Sequence, residues 1–258
     1  MFKNVLPLTA EKQTTLLLAP TTDWRFSANE LLVPLAYTEM ADAAREYPLV
    51  FLKDKPLVYA LLGFEQGTNA YVADDGRWRA HYLPARLRAY PFALAPVPEQ
   101  AGRFAIVMDA DAPQLQQAQG EPLFVDGRPG PVLAARKALL EAMAQAEPAT
   151  RRMVQAIRAA GLLVDRAVQV REPTLERPAL GGFQVIDEHK LNALPDAAFA
   201  TLRKEGALPL VYAHLLSMAN LRQGAIAGKY PEMQCDGALT TPHLPDMNGL
   251  LRGLWSLS

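Results

Sequence analysis

The sequence of 258 residues lacks, or has few of, several features that would indicate a class of function directly. It has a single cysteine, Cys235, which excludes an internal disulfide and a four-cysteine zinc site. Its 26 Lys and Arg residues nearly balance 27 Asp and Glu residues. A protein that relies on phosphate contacts usually has a basic surplus in the domain that makes them. We therefore expect no nucleic-acid partner, and any anion site must be local.

Long apolar runs are also missing. No stretch approaches the ~20 apolar residues that a membrane span requires. The uninterrupted apolar run near the amino terminus, residues 16–20, is too short for the core of a secretory signal. We therefore expect no membrane span, and the cytoplasm is the simplest compartment.

The sequence also lacks the well-known catalytic signatures. It contains no GxxxxGK[ST], no GxGxxG after a predicted strand, no GxSxG and no HExxH. These absences weigh against P-loop nucleotide hydrolases, standard dinucleotide enzymes, α/β-hydrolases and zincin proteases. They leave other classes open, and the sequence indicates no particular cofactor.

What the sequence does have is a change of hydrophobic pattern near residue 130. Short apolar runs such as LVFLKD (49–54), LVYALLGF (57–64) and RFAIVMD (103–109) predict strands before that point. The first two runs, separated by Lys55-Pro56, predict a hairpin, and Asp126-Gly127 predicts a turn. After it, helical spacing predicts two helices separated at Glu147-Pro148, and later a strongly apolar helix at 208–221. We therefore predict an α+β fold, with an antiparallel or mixed β-sheet in the N-terminal half packed with helices from the C-terminal half.

No stretch resembles a clean linker, which predicts a single domain over residues 1–222. The remainder, residues 223–258, is rich in Gly and Pro. We predict that it is an extended tail that wraps the domain or a partner. Its last residues, LLRGLWSLS, carry an apolar stripe suited to docking on another surface.

The stretch RWRAHYLPARLRAYPF, residues 77–92, holds four arginines, four aromatic residues and no acidic residue. Its apolar side chains predict a short helix between the two prolines that packs inward, so the stretch is first of all part of the fold. Arg86 lies at the flank of the apolar face, and we expect it to be partly buried and to need a partner. An acidic ligand or a terminal carboxylate is the candidate partner, with Tyr82 or Tyr90 nearby.

A polar strip interrupts the apolar segment LPLVYAHLLSMANL. His214 and Ser217 lie one turn apart on the same side of the predicted helix. Such a strip can line a ligand pocket, although a buried histidine with its hydrogen-bond partners is the more common arrangement. Both residues are ligand-binding candidates.

A metal site is the alternative. Asp109 and Asp111 end a predicted strand, and His189 follows two acidic residues at a strand-to-helix junction. Together with His214 they have the donor types of a non-haem iron site, provided that folding brings them together. The acidic residues before His189 also suit a helix N-cap and first turn, which explains them without a metal. Convergence in one pocket would decide between the two, and sequence spacing does not show it.

Three segments together resemble one family. They are YPLVFLKD with ALLGFEQGTNAYVADDGRWRAHYLPARLRAYPF, then FVDGRPGP, then FQVIDEHKLNAL with LRKEGALPLVYAHLLSMANL. They are similar to blocks of the SapC family of bacterial proteins, over roughly residues 5–222. The family name implies an association with bacterial surface layers, and members resemble proteins encoded beside flavin-dependent tryptophan halogenases, cupin-like proteins and TonB-dependent receptors. The resemblance implies fold and kinship, and it carries over no catalytic residue.

Two functional hypotheses remain. The one we favour is a cytoplasmic binding or accessory protein without chemistry of its own. Its partner would be a protein, such as an enzyme, or a small acidic or peptidic ligand, such as a peptide or an amino-acid derivative. The other is an enzyme that modifies a peptide or an amino-acid derivative with the help of a non-haem metal.

Overall fold

The computed structural model covers the whole chain and describes residues 1–13, 15–65, 67–97, 100, 102–116, 118–172, 175–231 and 233–235, with side chains outside 167–182 and 233–235. The strands are numbered in chain order. They are β1 (Val5–Pro7), β2 (Leu17–Leu18), β3 (Leu32–Leu35), β4 (Leu49–Leu52), β5 (Val58–Leu61), β6 (Phe92–Pro96), β7 (Phe104–Asp109), β8 (Glu121–Pro122), β9 (Phe124–Val125), β10 (Arg128–Pro129), β11 (Leu163–Glu172), β12 (Leu175–Ile186) and β13 (Met233–Cys235).

The α-helices follow mostly after residue 130. They are α1 (Met40–Ala43), α2 (Ala85–Ala89), α3 (Pro131–Ala159), α4 (Glu188–Asn192), α5 (Asp196–Lys204), α6 (Leu208–Ser217) and α7 (Ala225–Lys229). Short 3₁₀ turns add Arg25–Ser27, Tyr37–Glu39, Pro113–Leu115 and Met218–Leu221. The predicted α+β class is confirmed.

A six-stranded antiparallel sheet forms the centre of the molecule, in the order β13-β11-β12-β4-β5-β3. Its middle is the predicted hairpin, in which β4 pairs with β5 so that Leu49 faces Ala60 and Phe51 faces Val58. Leu49, Val50 and Phe51 are all fully buried, which explains why this run is apolar at consecutive rather than alternate positions. A smaller antiparallel sheet has the strand order β1-β7-β6, and its strands form no pairs with the large sheet among the described residues.

Helix α3 corrects one prediction. Instead of two helices separated at Glu147-Pro148, the chain forms one helix of 29 residues with Pro148 inside it. A proline removes one intrahelical amide and crowds the preceding turn, but tertiary packing can offset that cost. Here both halves are held by buried side chains: Leu133 and Leu140 before the proline, and Val154 and Ile157 after it.

These side chains belong to two apolar cores, which α3 therefore connects. The first half of α3 packs in the core of the small sheet, with Tyr90, Phe92 and Met108. The second half packs in the core of the large sheet, with α6. That larger core includes Ile226 and Tyr230, beyond residue 222. The rest of the predicted tail, residues 236–258, lies outside the described residues.

Candidate functional site

His214 and Ser217 join helix α6 to two strands of the large sheet. The Nε2 atom of His214 accepts a hydrogen bond from the Ile186 amide (2.9 Å), and Nδ1 donates to the Leu49 carbonyl oxygen (2.8 Å). The Ser217 hydroxyl donates to the His214 carbonyl oxygen (2.6 Å) and accepts from the Leu49 amide (2.9 Å). Both side chains are fully buried.

The position of His214 between two strands explains why both of its ring nitrogens are hydrogen-bonded and why the ring is neutral. β12 and β4 pair through Phe183 with Leu52 and Gln184 with Phe51, so the same register would place Ile186 opposite Leu49. The strands have stopped pairing there, and the imidazole bridges them instead. Both ring nitrogens are occupied, and burial lowers the pKa of His214 from 6.5 to about 4. The neutral ring has no free nitrogen for a ligand or a metal.

Asp109 holds the amino-terminal arm, residues 1–4 just before β1, on the small sheet. Its carboxylate accepts hydrogen bonds from the amides of Lys3 (3.0 Å) and Asn4 (2.9 Å), and from the Tyr90 hydroxyl (2.9 Å). Asp111 accepts a hydrogen bond from the Asn4 side chain (3.1 Å). Burial opposes ionisation of Asp109, but these hydrogen bonds outweigh it and keep its pKa below the ordinary value. Asp109, Asp111 and Tyr90 therefore come together, in a structural role.

His189 lies elsewhere, exposed in the first turn of α4. The preceding Asp187 accepts hydrogen bonds from the amides of His189 (2.9 Å) and Lys190 (3.3 Å), which is the predicted N-cap. Among the described residues, no group of three or more His, Cys, Asp or Glu side chains is arranged to hold a metal. The fold brings together the two acidic metal candidates, Asp109 and Asp111, but neither His189 nor His214 joins them.

Tyr82 is fixed by a buried carboxylate. Its hydroxyl donates to Glu39 Oε1 (2.8 Å), which also accepts the amide of Ala85 (2.7 Å), while Oε2 accepts the Ala36 amide (2.9 Å). Glu39 thus connects the start of α2 to Tyr82 and to the segment after β3. Burial, followed by the charge of Glu39, raises the pKa of the Tyr82 hydroxyl, which stays protonated as a donor.

Arg86 is exposed rather than partly buried, and this prediction was wrong. The flank of the short helix α2 faces a shallow hollow of about 90 Å³ instead of the core. The hollow is lined by Pro34, Leu35, Ala36, Leu57, Arg86, Met143 and Glu147. Glu147 shares it, but its carboxylate pairs with Arg151 at 2.5 Å.

The arginine with a fixed position is Arg88, on the same helix. Its guanidinium carbon lies 5.7 Å from the centre of the Tyr82 ring, within the range of a cation–π contact. Its backbone carbonyl oxygen accepts a hydrogen bond from Nη1 of Arg136, on α3. We call Arg88 and Arg136, which lie together, the arginine face.

Sequence reasoning missed Arg136, although a signal was present. Arg136 lies three residues after Leu133 and four before Leu140, which places it on the core-facing stripe of α3. An arginine on such a stripe is half-buried by its neighbours, as Arg136 is. Burial, and then the nearby charge of Arg88, lower the pKa of Arg136.

The fold and this site define an α+β protein with an antiparallel central sheet and a local cationic face. The model of the SapC family matches residues 8–223, and the chain belongs to the SapC family. This confirms the resemblance seen in the sequence. No curated protein and no solved structure matches the chain. Within the part of the chain that the structure describes, no helix combines the length and apolar character needed to cross a membrane.

Proposed function

We propose that this SapC-family chain is a binding or accessory protein that recognises an acidic group at the arginine face. The group is a carboxylate of a peptide, of an amino-acid derivative or of a partner protein. The chain performs no chemistry of its own. The observation that carries the proposal is a pair of neighbouring guanidinium groups, those of Arg88 and Arg136, without an ion pair in the described chain.

The ion pairs of the described residues include neither of the two arginines. By contrast, Arg77, from the same basic stretch, pairs with Asp75 at 2.7 Å, and Arg25 pairs with Asp23 at 2.5 Å. The whole chain is almost neutral, so the lack of an ion pair at these arginines does not reflect a shortage of acidic side chains. The lack of an ion pair supports a role for these charges in binding.

The geometry also favours binding because both guanidinium groups are held in place. The hydrogen bond to the Arg88 carbonyl restrains Arg136, and the Tyr82 ring supports Arg88. Tyr82 is itself fixed through Glu39. Restraint before binding reduces the side-chain entropy lost on binding, which is a large cost for free arginines.

The chemistry of the site suits a carboxylate. Guanidinium groups bind carboxylates through paired hydrogen bonds that are stronger than neutral ones. Half-burial of Arg136 reduces the screening of its charge by solvent. A bound carboxylate would also relieve the repulsion between Arg88 and Arg136, which lowers the pKa of Arg136 in the free protein.

The test uses two matched probes, N-acetyl-alanyl-alanine with a free terminal carboxylate and the same dipeptide with a terminal amide. We expect the acid to shift the side-chain Nε–H NMR signals of Arg88 and Arg136, and the amide to leave them unchanged. Each charged hydrogen bond contributes about 1.5–3 kcal/mol. The variant R88Q/R136Q should therefore weaken binding of the acid by at least about tenfold.

The control variant is R152Q, which removes one positive charge at an exposed arginine elsewhere on α3. It should bind the acid as the parent chain does. The proposal is wrong if the two probes give the same shifts, or if R152Q weakens binding as much as R88Q/R136Q. It is also wrong if the acid gives no shift up to about 10 mM, where even a complex with a millimolar Kd is largely formed.

A further inference from the structure

Helix α6 has an exposed apolar side. Pro209, Tyr212 and Leu216 are exposed and recur at spacings of three and four residues, which places them on one side of the helix. Tyr212 is 48 % exposed and Leu216 is 69 % exposed, the highest value among the large apolar side chains of the described residues. We call these three residues the outer face of α6. None of them belongs to the arginine face, so a role for the outer face is independent of the proposed function.

The outer face of α6 is unusual because it carries no charge. A surface helix normally has charged or polar residues on its outward side, and a helix that is apolar all round is normally covered. The sequence of α6, LPLVYAHLLS, contains no Asp, Glu, Lys or Arg. Besides the tyrosine, its polar side chains are His214 and Ser217, and both are hydrogen-bonded to strands of the large sheet. Single exposed apolar residues need no explanation, but three on one uncharged side indicate a surface that binds another apolar segment.

The last described strand runs toward α6. β13 pairs antiparallel with β11, with Cys235 opposite Val168. In this orientation the chain runs toward the start of β11, where Leu163 lies opposite Ile186. The Ile186 amide is the group that donates to His214 of α6. The tail, residues 236–258, therefore starts from a strand that is directed at the end of the sheet where α6 is attached.

The tail is long enough to reach the outer face of α6. The distance along the strand from Val168 to Leu163 is about 17 Å, and the two strand spacings from β13 to β12 add about 10 Å. The width of a helix adds about 10 Å more. Residues 236–249 alone can span up to about 46 Å when extended. Length therefore permits the residues that follow to contact Tyr212 and Leu216.

The chemistry of the tail matches that of the outer face. Residues 236–258 contain only three charged side chains. Near the end, LLRGLWSLS carries an apolar stripe that consists of Leu250, Leu251, Leu254 and Trp255. Two apolar surfaces on one chain meet at the high effective concentration of an intramolecular contact, which favours this contact over the same contact between two copies. We propose that the stripe within residues 250–255 binds the outer face of α6 in its own chain and buries Tyr212 and Leu216.

Hydrogen exchange of the full chain, measured by ¹⁵N NMR, tests this contact. We expect the backbone amides of residues 250–255 and the indole N–H of Trp255 to exchange at least about tenfold more slowly than in the same chain unfolded in urea. Leu216→Ser should reduce this protection at least about tenfold, because burial of one leucine side chain contributes more free energy than a tenfold change in an equilibrium requires. Tyr212→Ser, one turn earlier on the outer face, should reduce the protection as well, so the test does not depend on a single variant.

Phe104→Ser is the matched control, since it removes an exposed apolar side chain from the small-sheet half. It should leave the protection of residues 250–255 unchanged. The protection should also be the same at about 20 and about 500 µM chain, as an intramolecular contact requires. The proposal is overturned if residues 250–255 exchange as they do in the unfolded chain, or if Phe104→Ser reduces their protection as much as Leu216→Ser does. Protection that increases with the concentration of the chain overturns it as well, because a second copy would then occupy the outer face.

Discussion

The His214 junction and the arginine face are both polar features of helices, but their polar groups are satisfied to different extents within the chain. His214 and Ser217 use their ring nitrogens and hydroxyl entirely within the chain. Arg88 and Arg136 differ, since no ion pair of the described residues includes them and Arg136 donates to a backbone carbonyl oxygen.

The difference shows that an unusual residue type is a weaker sign of function than an unsatisfied group. A histidine in an apolar helix attracts notice in a sequence, yet here it replaces missing contacts between two strands. Arginines are common on protein surfaces and attract no notice in a sequence, yet here two of them lie together and neither is in an ion pair of the described residues. The comparison predicts that the first region determines stability and the second determines binding, and four changes test it.

The largest effect is expected for His214→Ala. The substitution leaves a cavity in the core and removes the partners of the Ile186 amide and the Leu49 carbonyl oxygen. We expect a loss of about 4 kcal/mol in the free energy of unfolding, measured by urea denaturation. His189→Ala, at an exposed position, is the matched control and should change it by less than about 0.5 kcal/mol. Equal effects of the two variants would contradict the structural role of His214.

The second test uses pH. The folded chain holds His214 with a pKa of about 4, below the value of 6.5 for a free histidine. The unfolded chain therefore binds a proton first, so stability is complete above about pH 6.5 and falls as the pH drops toward 4. The difference in pKa corresponds to a loss of roughly 3 kcal/mol over that window.

Urea unfolding at about pH 7 and about pH 4.5 measures this loss, and His214→Gln supplies the comparison because glutamine does not titrate. The variant should be less stable at neutral pH, but its stability should fall less between the two pH values. If both chains lose the same stability, the pH dependence comes from other groups and His214 is not held neutral by burial.

The third test concerns Asp109, which holds the amino-terminal arm in the small-sheet half. Asp109→Asn replaces an acceptor-only carboxylate with an amide that cannot accept all of its hydrogen bonds. We expect a loss of about 2 kcal/mol and faster hydrogen exchange at the amides of Lys3 and Asn4. Asp111→Asn, at an exposed neighbour, should cost less than about 0.5 kcal/mol. Unchanged exchange in Asp109→Asn would show that the arm is held by other contacts.

Local signals in the sequence predicted much of the fold. The β4–β5 hairpin follows from two apolar runs around Lys55-Pro56, and the Asp187 cap follows from its position before α4. The Asp126-Gly127 turn is present as well, with φ angles of 50° and 73°. Each of these features depends on a few neighbouring residues.

The predictions that were wrong, and the features that were missed, depend on contacts between residues far apart in the chain. Pro148 is a helix breaker by local rules, but its helix packs in two cores that the sequence pattern does not place. The exposure of Arg86 depends on where α3 lies against α2. The partners of His214 are 28 and 165 residues away, so its neutral, fully bonded state could not be derived from spacing. For the same reason, sequence spacing could not predict that Arg88 and Arg136 lie together.

The smallest effect on stability is expected at the arginine face. R88Q/R136Q removes one hydrogen bond, to the Arg88 carbonyl oxygen, but also removes the repulsion between two neighbouring cations. These contributions oppose each other, so the free energy of unfolding in urea should change by less than about 0.5 kcal/mol. The same variant should lose binding of the acidic dipeptide. A loss of more than about 2 kcal/mol would mean that the two arginines stabilise the packing of α2 on α3. The arginine face would then be structural, like the His214 junction, and the contrast between the two regions would disappear.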